Sequence, residues 1–149
     1  MSKRLSAVIA ALVLIGLAAG ATMATGQSSQ KWGARMTGAG ESPKGDANGS
    51  GTFTVSFRNG QACYTMVAKG IDKPVAAHIH KGAAGVNGPI VVDLQPSFKG
   101  AAASRTSSKC VPAKASVVSA IRKNPSGYYA NVHTAKFPAG ALRGQLKKQ

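Results

Sequence analysis

Acidic side chains are scarce in this chain, which has four Asp and Glu residues against 19 Lys and Arg residues and a formal net charge of +15. A glycosidase-type pair of carboxylates is poorly supported, because such a pair needs two acids at a defined separation. The excess of bases favours anionic partners through long-range attraction. Runs of Lys and Arg never exceed two residues, so general solubility and loose adhesion to anionic polymers are the simpler interpretation of the charge.

Aromatic residues are also few, at 5% of the chain. A nucleic-acid reader usually combines a concentrated basic patch with aromatic rings that stack on bases, so a sequence-specific nucleic-acid partner is not expected. The chain lacks a Gly-x-Ser-x-Gly elbow, and its Gly-x-x-Gly spacings do not open a helix after a strand as a phosphate cradle would. We therefore expect a binding or structural protein rather than an enzyme.

Only one long apolar run is present, over residues 5–17, and two basic residues precede it. This pattern, followed by small residues, predicts a cleaved signal peptide over residues 1–24. A membrane anchor is the less favoured alternative, because a bilayer core needs about 20 apolar residues, and no membrane span is expected after cleavage. Residues 25–33 are predicted to form a flexible leader, in which Trp32 caps the edge of the fold. Residues 34–149 then form one secreted or periplasmic domain.

Cysteine is limited to Cys63 and Cys110. An even pair in an exported chain predicts a disulfide, and two free buried thiols are the alternative. The bond would close a loop of about 47 residues, which the chain-entropy model values at roughly 3 to 4 kcal/mol. A disulfide would also leave no thiolate to serve as a nucleophile.

The clearest local structure is a hairpin, with alternating strands over residues 52–58 and 61–68 on either side of Asn59-Gly60. Asn-Gly is the strongest short-range hairpin signal, and a two-residue turn fixes the register of the strands. The predicted pairs, which all point to the core, are Phe57 with Ala62, Val55 with Tyr64, and Phe53 with Met66.

The rest of the domain shows short strand-like runs between turns. Further strands are predicted over residues 35–38, 75–80, 90–94, 127–133 and 141–146. A single helix is predicted over residues 113–123, with apolar residues at helical spacing and a proline after it, while residues 82–89 and 96–108 are predicted loops. Frequent short strands with hairpin signals indicate an all-β fold, an antiparallel β-sandwich or partly closed barrel with one short helix.

The three histidines are the best candidates for a chemical site. His78 and His80 lie two residues apart on a predicted strand and so share one face, while His133 lies on the outward face of another. If these strands are neighbours, three imidazoles converge, and zinc or copper accepts three histidines plus water. Asp93 and Glu41 are possible additional oxygen ligands. The alternative is that each histidine bonds to loop or backbone groups and orients the 82–89 loop.

The order of several motifs resembles the CHRD domain, a module named after chordin. The residues that carry the resemblance are Thr37–Glu41, Gly51–Val55, Cys63-Tyr64, Ala76–His80, Asn87–Val92, Tyr128–His133, Phe137–Gly140 and Arg143–Leu146. The resemblance implies an all-β fold like the Cu/Zn superoxide dismutase sandwich, an extracellular or periplasmic location, and no settled activity. Dismutase chemistry itself is excluded, because its two metals use six histidines and an aspartate. Ala141 departs from the family pattern, which usually has an acid there.

Glu41 near the first strand and Arg143 in the last are predicted to form a structural ion pair between the two ends of the domain. Such a pair can fix register without adding much net stability. Taken together, the sequence predicts an exported binding or structural module that engages an envelope or extracellular protein or an anionic polymer. The alternative function is copper or zinc binding by His78, His80 and His133.

Overall fold

The computed structural model describes residues 30–149, which form ten strands and one α-helix. The strands are β1 (Lys31–Thr37), β2 (Ser50–Arg58), β3 (Gln61–Lys69), β4 (Pro74–Lys81), β5 (Ile90–Asp93), β6 (Lys99–Ala101), β7 (Ser104–Pro112), β8 (Tyr128–Thr134), β9 (Leu142–Gln145) and β10 (Lys147–Lys148). The helix α1 spans Ala115–Lys123, and single 3-10 turns cover Gly38–Gly40 and Pro125–Gly127. The all-β prediction with one short helix is confirmed, while the predicted signal peptide lies outside the described residues.

All strands belong to one antiparallel sheet with the order β5-β4-β8-β9-β1-β2-β3-β7-β6, and β10 pairs with β1. Strands β5, β4, β8 and β9 form what we name the histidine half, and the other six strands form the basic half. The halves meet where β9 pairs with β1 through Thr37 and Arg143. The sheet curls so that the halves face each other, and the Tyr64 hydroxyl on β3 donates to the Leu94 carbonyl that follows β5, at 3.0 Å.

The predicted hairpin is confirmed in register. Strands β2 and β3 pair Phe57 with Ala62, Val55 with Tyr64 and Phe53 with Met66, and all six side chains are buried. The core between the halves also takes apolar side chains from β4, β8 and β9, among them Ile79, Val132 and Leu142. This burial drives the alternation of apolar and polar residues along each strand.

The predicted disulfide is confirmed between Cys63 and Cys110. The two residues stand directly opposite each other on β3 and β7, with Cα atoms 3.9 Å apart. Cys63 alternates with the buried Ala62 and Tyr64, so the bond lies on the outer face of the basic half. It ties together strands that are far apart in the sequence.

The predicted loop over residues 96–108 is wrong, because β6 and most of β7 lie there. Strand β7 pairs with β3 along its length, but only Ser107 and Val111 of β7 are buried. A strand near the edge of a sheet covers little apolar area, so its sequence shows polar residues where an inner strand shows apolar ones. Backbone hydrogen bonding forms this strand without an apolar pattern.

The domain begins earlier than the predicted boundary at residue 34. Strand β1 starts at Lys31, and Trp32 is only 3% exposed, with its ring centroid 5.4 Å from that of Phe57. Trp32 therefore belongs to the core rather than capping an edge from a leader. A single apolar residue among polar neighbours carries too little pattern for a strand to be predicted from it.

Candidate functional site

Strand β4 presents two imidazoles on the outer face of the histidine half. Ala77 and Ile79 are fully buried in the core, so the residues that alternate with them, His78 and His80, point to the opposite face. Their ring centroids are 5.4 Å apart. His80 is the more enclosed of the two, with 9% of its surface exposed.

Strand β8 brings the third imidazole alongside. It pairs with β4 so that Asn131 stands opposite His78 and Tyr129 opposite His80, which places His133 diagonally beside His78. The ring centroid of His133 is 5.0 Å from that of His78 and 6.5 Å from that of His80. One ring nitrogen from each histidine lies within 4.8 Å of the other two. The structure therefore brings the three predicted histidines together as one cluster.

Backbone carbonyls fix the orientation of two of these rings. A carbonyl only accepts, so His80 Nδ1–H donates to Gly88 O at 2.8 Å, and His133 Nδ1–H donates to Pro138 O at 2.9 Å. In the neutral form of each ring the lone pair is then on Nε2. His133 Nε2 accepts a hydrogen bond from His78 Nδ1–H at 3.1 Å, whereas His80 Nε2 is buried without a hydrogen-bond partner among residues 30–149.

The loop between β4 and β5 is held in place by a buried arginine. Arg143 on β9 donates from its guanidinium to Asn87 Oδ1 at 3.1 Å and to the carbonyls of Ala83 and Val86 at 2.8 and 2.7 Å. These bonds hold the loop that carries Gly88, and hence the carbonyl that orients His80. The histidines and this loop are thus one interaction network.

A stack of side chains supports the His80 ring from the side. The Tyr129 ring lies parallel to it, with an interplanar angle of 5° and centroids 4.8 Å apart. The guanidinium carbon of Arg143 lies 3.3 Å from the Tyr129 centroid, and β8 lies between β4 and β9 in the sheet. Tyr129 therefore stands between an imidazole and a cation, and this arrangement restricts the rotation of His80.

Burial favours the neutral forms of His78 and His80. It lowers the pKa of His78, and the positive forms of His133 and His80 would lower it further, with Asp93 opposing them. Burial likewise lowers the pKa of His80, although the hydrogen bond to Gly88 O acts in the other direction. A neutral imidazole with an unprotonated nitrogen is the form that binds a metal ion.

The two predicted oxygen ligands lie outside the histidine cluster. Asp93 stands opposite His78 on β5, and its Oδ1 accepts the Gln95 backbone N–H at 3.0 Å. Glu41 is buried, and desolvation raises its pKa to about 7 although Arg143 acts to lower it. Among residues 30–149, the group whose ligand atoms converge contains the three histidines and neither acid.

The predicted ion pair between Glu41 and Arg143 acts through space rather than through a hydrogen bond. Both side chains are buried, and the charge of Arg143 acts on Glu41. Within the described range, Glu41 Oε1 and Arg143 Nε have no hydrogen-bond partner, and the terminal nitrogens of Arg143 bond to the 82–89 loop. Arg143 therefore makes its direct hydrogen bonds with the 82–89 loop, and its interaction with Glu41 is electrostatic only.

A family model described as "CHRD domain" matches residues 32–146, a range that includes all three histidines and both cysteines. The chain belongs to the CHRD domain family. Neither the curated proteins nor the solved structures compared with it give a match. Among residues 30–149, no helix combines the length and apolar character needed to cross a bilayer.

Sequence reasoning missed several contacts that shape this CHRD site. Strand alternation predicts Tyr129 and Asn131 on the same face as His133, but not the stacking of Tyr129 on His80. Gly88 and Pro138 contribute backbone carbonyls, and every residue has one, so side-chain chemistry gives no signal for them. The role of Asn87 depends on how the loop folds over Arg143, which is set by tertiary structure.

Proposed function

We propose that this CHRD domain is an exported binding module that holds one transition-metal ion, Cu²⁺ or Zn²⁺, between His78, His80 and His133. The observation that carries the proposal is the buried His80 Nε2, which has no hydrogen-bond partner among residues 30–149 and belongs to the three-imidazole cluster. An acceptor buried without a donor costs roughly 1 to 3 kcal/mol. A bound cation would offset that cost.

The chemistry of the donors suits such an ion. Histidine nitrogens bind zinc at about 2.0 to 2.1 Å, so three nitrogens within 4.8 Å of one another need only modest ring movements to share one ion. The bonds from Nδ1 of His80 and His133 to carbonyls are the outer contacts that commonly orient metal-binding histidines. Copper is favoured over zinc where geometry is equal, following the general order of divalent affinities.

We assign this site to binding rather than to catalysis. The cluster offers ligands for a single ion, and three histidines cannot supply the paired metals of a Cu/Zn dismutase. The Cys63–Cys110 disulfide supports a secreted or periplasmic location, because such bonds persist in oxidising compartments. The predicted signal peptide agrees with that location.

Calorimetric titration of the purified protein with CuCl₂ and with ZnCl₂ at pH 7.5 tests the metal proposal. We expect one ion per chain with micromolar or tighter affinity, and a loss of roughly a hundredfold or more in His80→Ala, because one of three ligands is removed. Val75→Ala, an exposed change on the same strand, serves as the control and should bind as the wild type does. Absence of binding by the folded wild type at micromolar metal would overturn the proposal.

Nitrogen NMR provides a test that does not depend on the stability of a variant. In the metal-free wild type at pH 7, His80 should show a protonated Nδ1 and an unprotonated Nε2, since Gly88 O accepts from Nδ1. Addition of Zn²⁺ should move the Nε2 resonance strongly. A protonated Nε2, or an unchanged spectrum with zinc, would contradict the assignment.

A second candidate function is the binding of anionic envelope or extracellular partners through the protein's charge. Nine Lys and Arg residues lie on the six strands of the basic half, and these strands contain no Asp or Glu. Opposite charges attract over a Debye length of about 8 Å at physiological ionic strength. Salt-dependent retention of the protein on an immobilised polyanion is expected, and elution at the ionic strength that releases a neutral protein would contradict it.

A further inference from the structure

The outer face of the basic half carries a groove along strands β10, β1 and β2. It has a volume of about 740 Å³ and is bounded by β10 on one side and by β1 and β2 on the other. Its polar lining comes from side chains on these strands, from Gln145 on β9 of the histidine half, and from Gln149 after β10. Those side chains are Arg35, Thr52, Thr54, Gln145, Lys147, Lys148 and Gln149.

Gly33 forms the floor of this groove. It is paired with Lys147 on β10 and with Thr54 on β2, so it lies in the middle of a row of outward positions. A Cβ atom at this position would collide with the Gln149 side chain and approach the Phe53 carbonyl oxygen to 3.0 Å. The Gln149 side chain occupies the space that a side chain at position 33 would need, so it lies over Gly33 between Lys147 and Thr54 and forms part of the groove's surface.

Positive charge is concentrated beside the depression. Arg35, Lys147 and Lys148 are exposed, and each lines the groove. The acidic side chains lie elsewhere: Glu41 and Asp46 between β1 and β2, Asp72 before β4, and Asp93 on β5. A negatively charged ligand would therefore meet three cations in the groove and no acidic side chain from its walls.

We propose that this groove binds a strand of an anionic polysaccharide, with Arg35, Lys147 and Lys148 contacting its acidic groups. The hydroxyls of Thr52 and Thr54 and the amide of Gln149 suit the neutral hydroxyls of the sugar units, since each can donate and accept hydrogen bonds. An open groove along a sheet face also matches an extended chain better than a compact ligand.

Two other classes of anionic partner fit the surface less well. Single-stranded nucleic acid is normally held by aromatic rings that stack on its bases, whereas the exposed large apolar residues among those described are Val75, Val86 and Ile90. None of these three lines the groove. An acidic protein interface would be expected to offer an apolar or aromatic anchor at its centre, and the apolar residues that line this groove, Ala34 and Phe53, are themselves buried in the core.

This inference rests on the preference for anionic partners proposed above and is independent of the metal site. Its experiment compares two variants that each lose three positive charges. The groove variant is Arg35→Gln/Lys147→Gln/Lys148→Gln. The control is Lys73→Gln/Lys114→Gln/Lys123→Gln, which changes exposed residues outside the basic half.

Binding to heparin and to polygalacturonate is measured at about 0.15 M salt, an ionic strength that screens exposed charges beyond roughly 8 Å. We expect the groove variant to lose roughly tenfold or more in affinity and the control less than about threefold, because only the former removes charges that contact the ligand. Circular dichroism should show both variants folded, and copper binding should be unchanged in both.

The other outcomes overturn defined parts of the proposal. Equal losses in the two variants would show that charge acts diffusely and that the groove is not a site. Failure of the wild type to bind either polysaccharide would contradict both the groove proposal and the more general proposal that the protein binds anionic partners. Equal or tighter binding of oligo-dT or of polyglutamate, with the same dependence on the groove residues, would assign the groove to nucleic acid or to acidic peptide instead.

Discussion

The two halves of the curled sheet differ in how they hold their basic side chains. In the histidine half, three imidazoles are partly or largely buried, backbone carbonyls orient His80 and His133, and the Nε2 lone pair of His80 has no partner within residues 30–149. In the basic half, exposed cations lie on strands that carry no acidic side chain. A site for a metal ion needs desolvated donors, whereas a surface for a polyanion needs exposed charge.

The comparison explains why one small domain can carry both features. An exposed lysine near the imidazoles would repel a dication, and a buried imidazole could not reach a polymer. The sheet keeps nine bases on the strands of the basic half, whereas the histidine half carries Lys81 and Arg143. Lys81 follows His80 on β4 and so points to the opposite face, and Arg143 is buried and bonds to the 82–89 loop. Changes in one half should therefore leave the ligand of the other half unaffected, and the following predictions test that separation.

Removal of the disulfide should have the largest effect on stability and none on metal affinity. Cys63→Ser/Cys110→Ser opens a cross-link spanning 47 residues, which should lower the free energy of unfolding by roughly 3 to 4 kcal/mol. Urea denaturation measures the loss, and copper titration of the folded variant measures the independence of the halves. A parallel fall in copper affinity would show that the two halves are coupled.

Substitution of the buried arginine should damage the histidine half alone. Arg143→Leu leaves the carbonyls of Ala83 and Val86 and the side chain of Asn87 without their donor, so we expect a loss of about 3 kcal/mol. Copper affinity should fall roughly tenfold or more, because the loop that orients His80 is released.

The matched control is Arg35→Leu, which removes an exposed arginine from the basic half and should change stability by less than about 0.5 kcal/mol. Arg143→Lys should recover only part of the loss, since an ammonium cannot reproduce the planar contact with Tyr129. If Arg143→Leu binds copper as tightly as the wild type does, Arg143 does not position the site.

The smallest of the three effects concerns Glu41 and depends on pH. Burial raises its pKa from 4.5 to about 7, so its ionisation disfavours the folded state, and stability should fall as pH rises from about 4.5 to 7. Glu41→Gln should be about 2 kcal/mol more stable than the wild type at pH 8 and indistinguishable from it at pH 4. Thermal unfolding across this range checks the sign, and a variant that is less stable at pH 8 would refute it.

Much of the fold follows from local pattern. The Asn59-Gly60 turn predicted the hairpin register correctly, and alternation correctly placed Ala77, Ile79 and Val132 in the core. The same alternation predicts Val75 in the core, but Val75 is 64% exposed, because the strand register shifts between Pro74 and Ala76. Strand β7 could not be predicted, because its inward positions are largely polar and its pairing with β3 is set by the backbone. The carbonyls of Gly88 and Pro138 that orient the histidines could not be predicted either, because their positions depend on how the loops fold in three dimensions.

The pairing of β1 with β10 brings the first and last described residues together, and Gln30 Nε2 donates to Gln149 O at 2.7 Å. A domain whose ends emerge side by side can be inserted into a loop of a host protein without stretching it. It also suits circular permutation, in which a short linker joins the present ends and new ones are opened at the exposed Asn59-Gly60 turn. The proposed metal site and the proposed groove would keep their positions in the permuted chain.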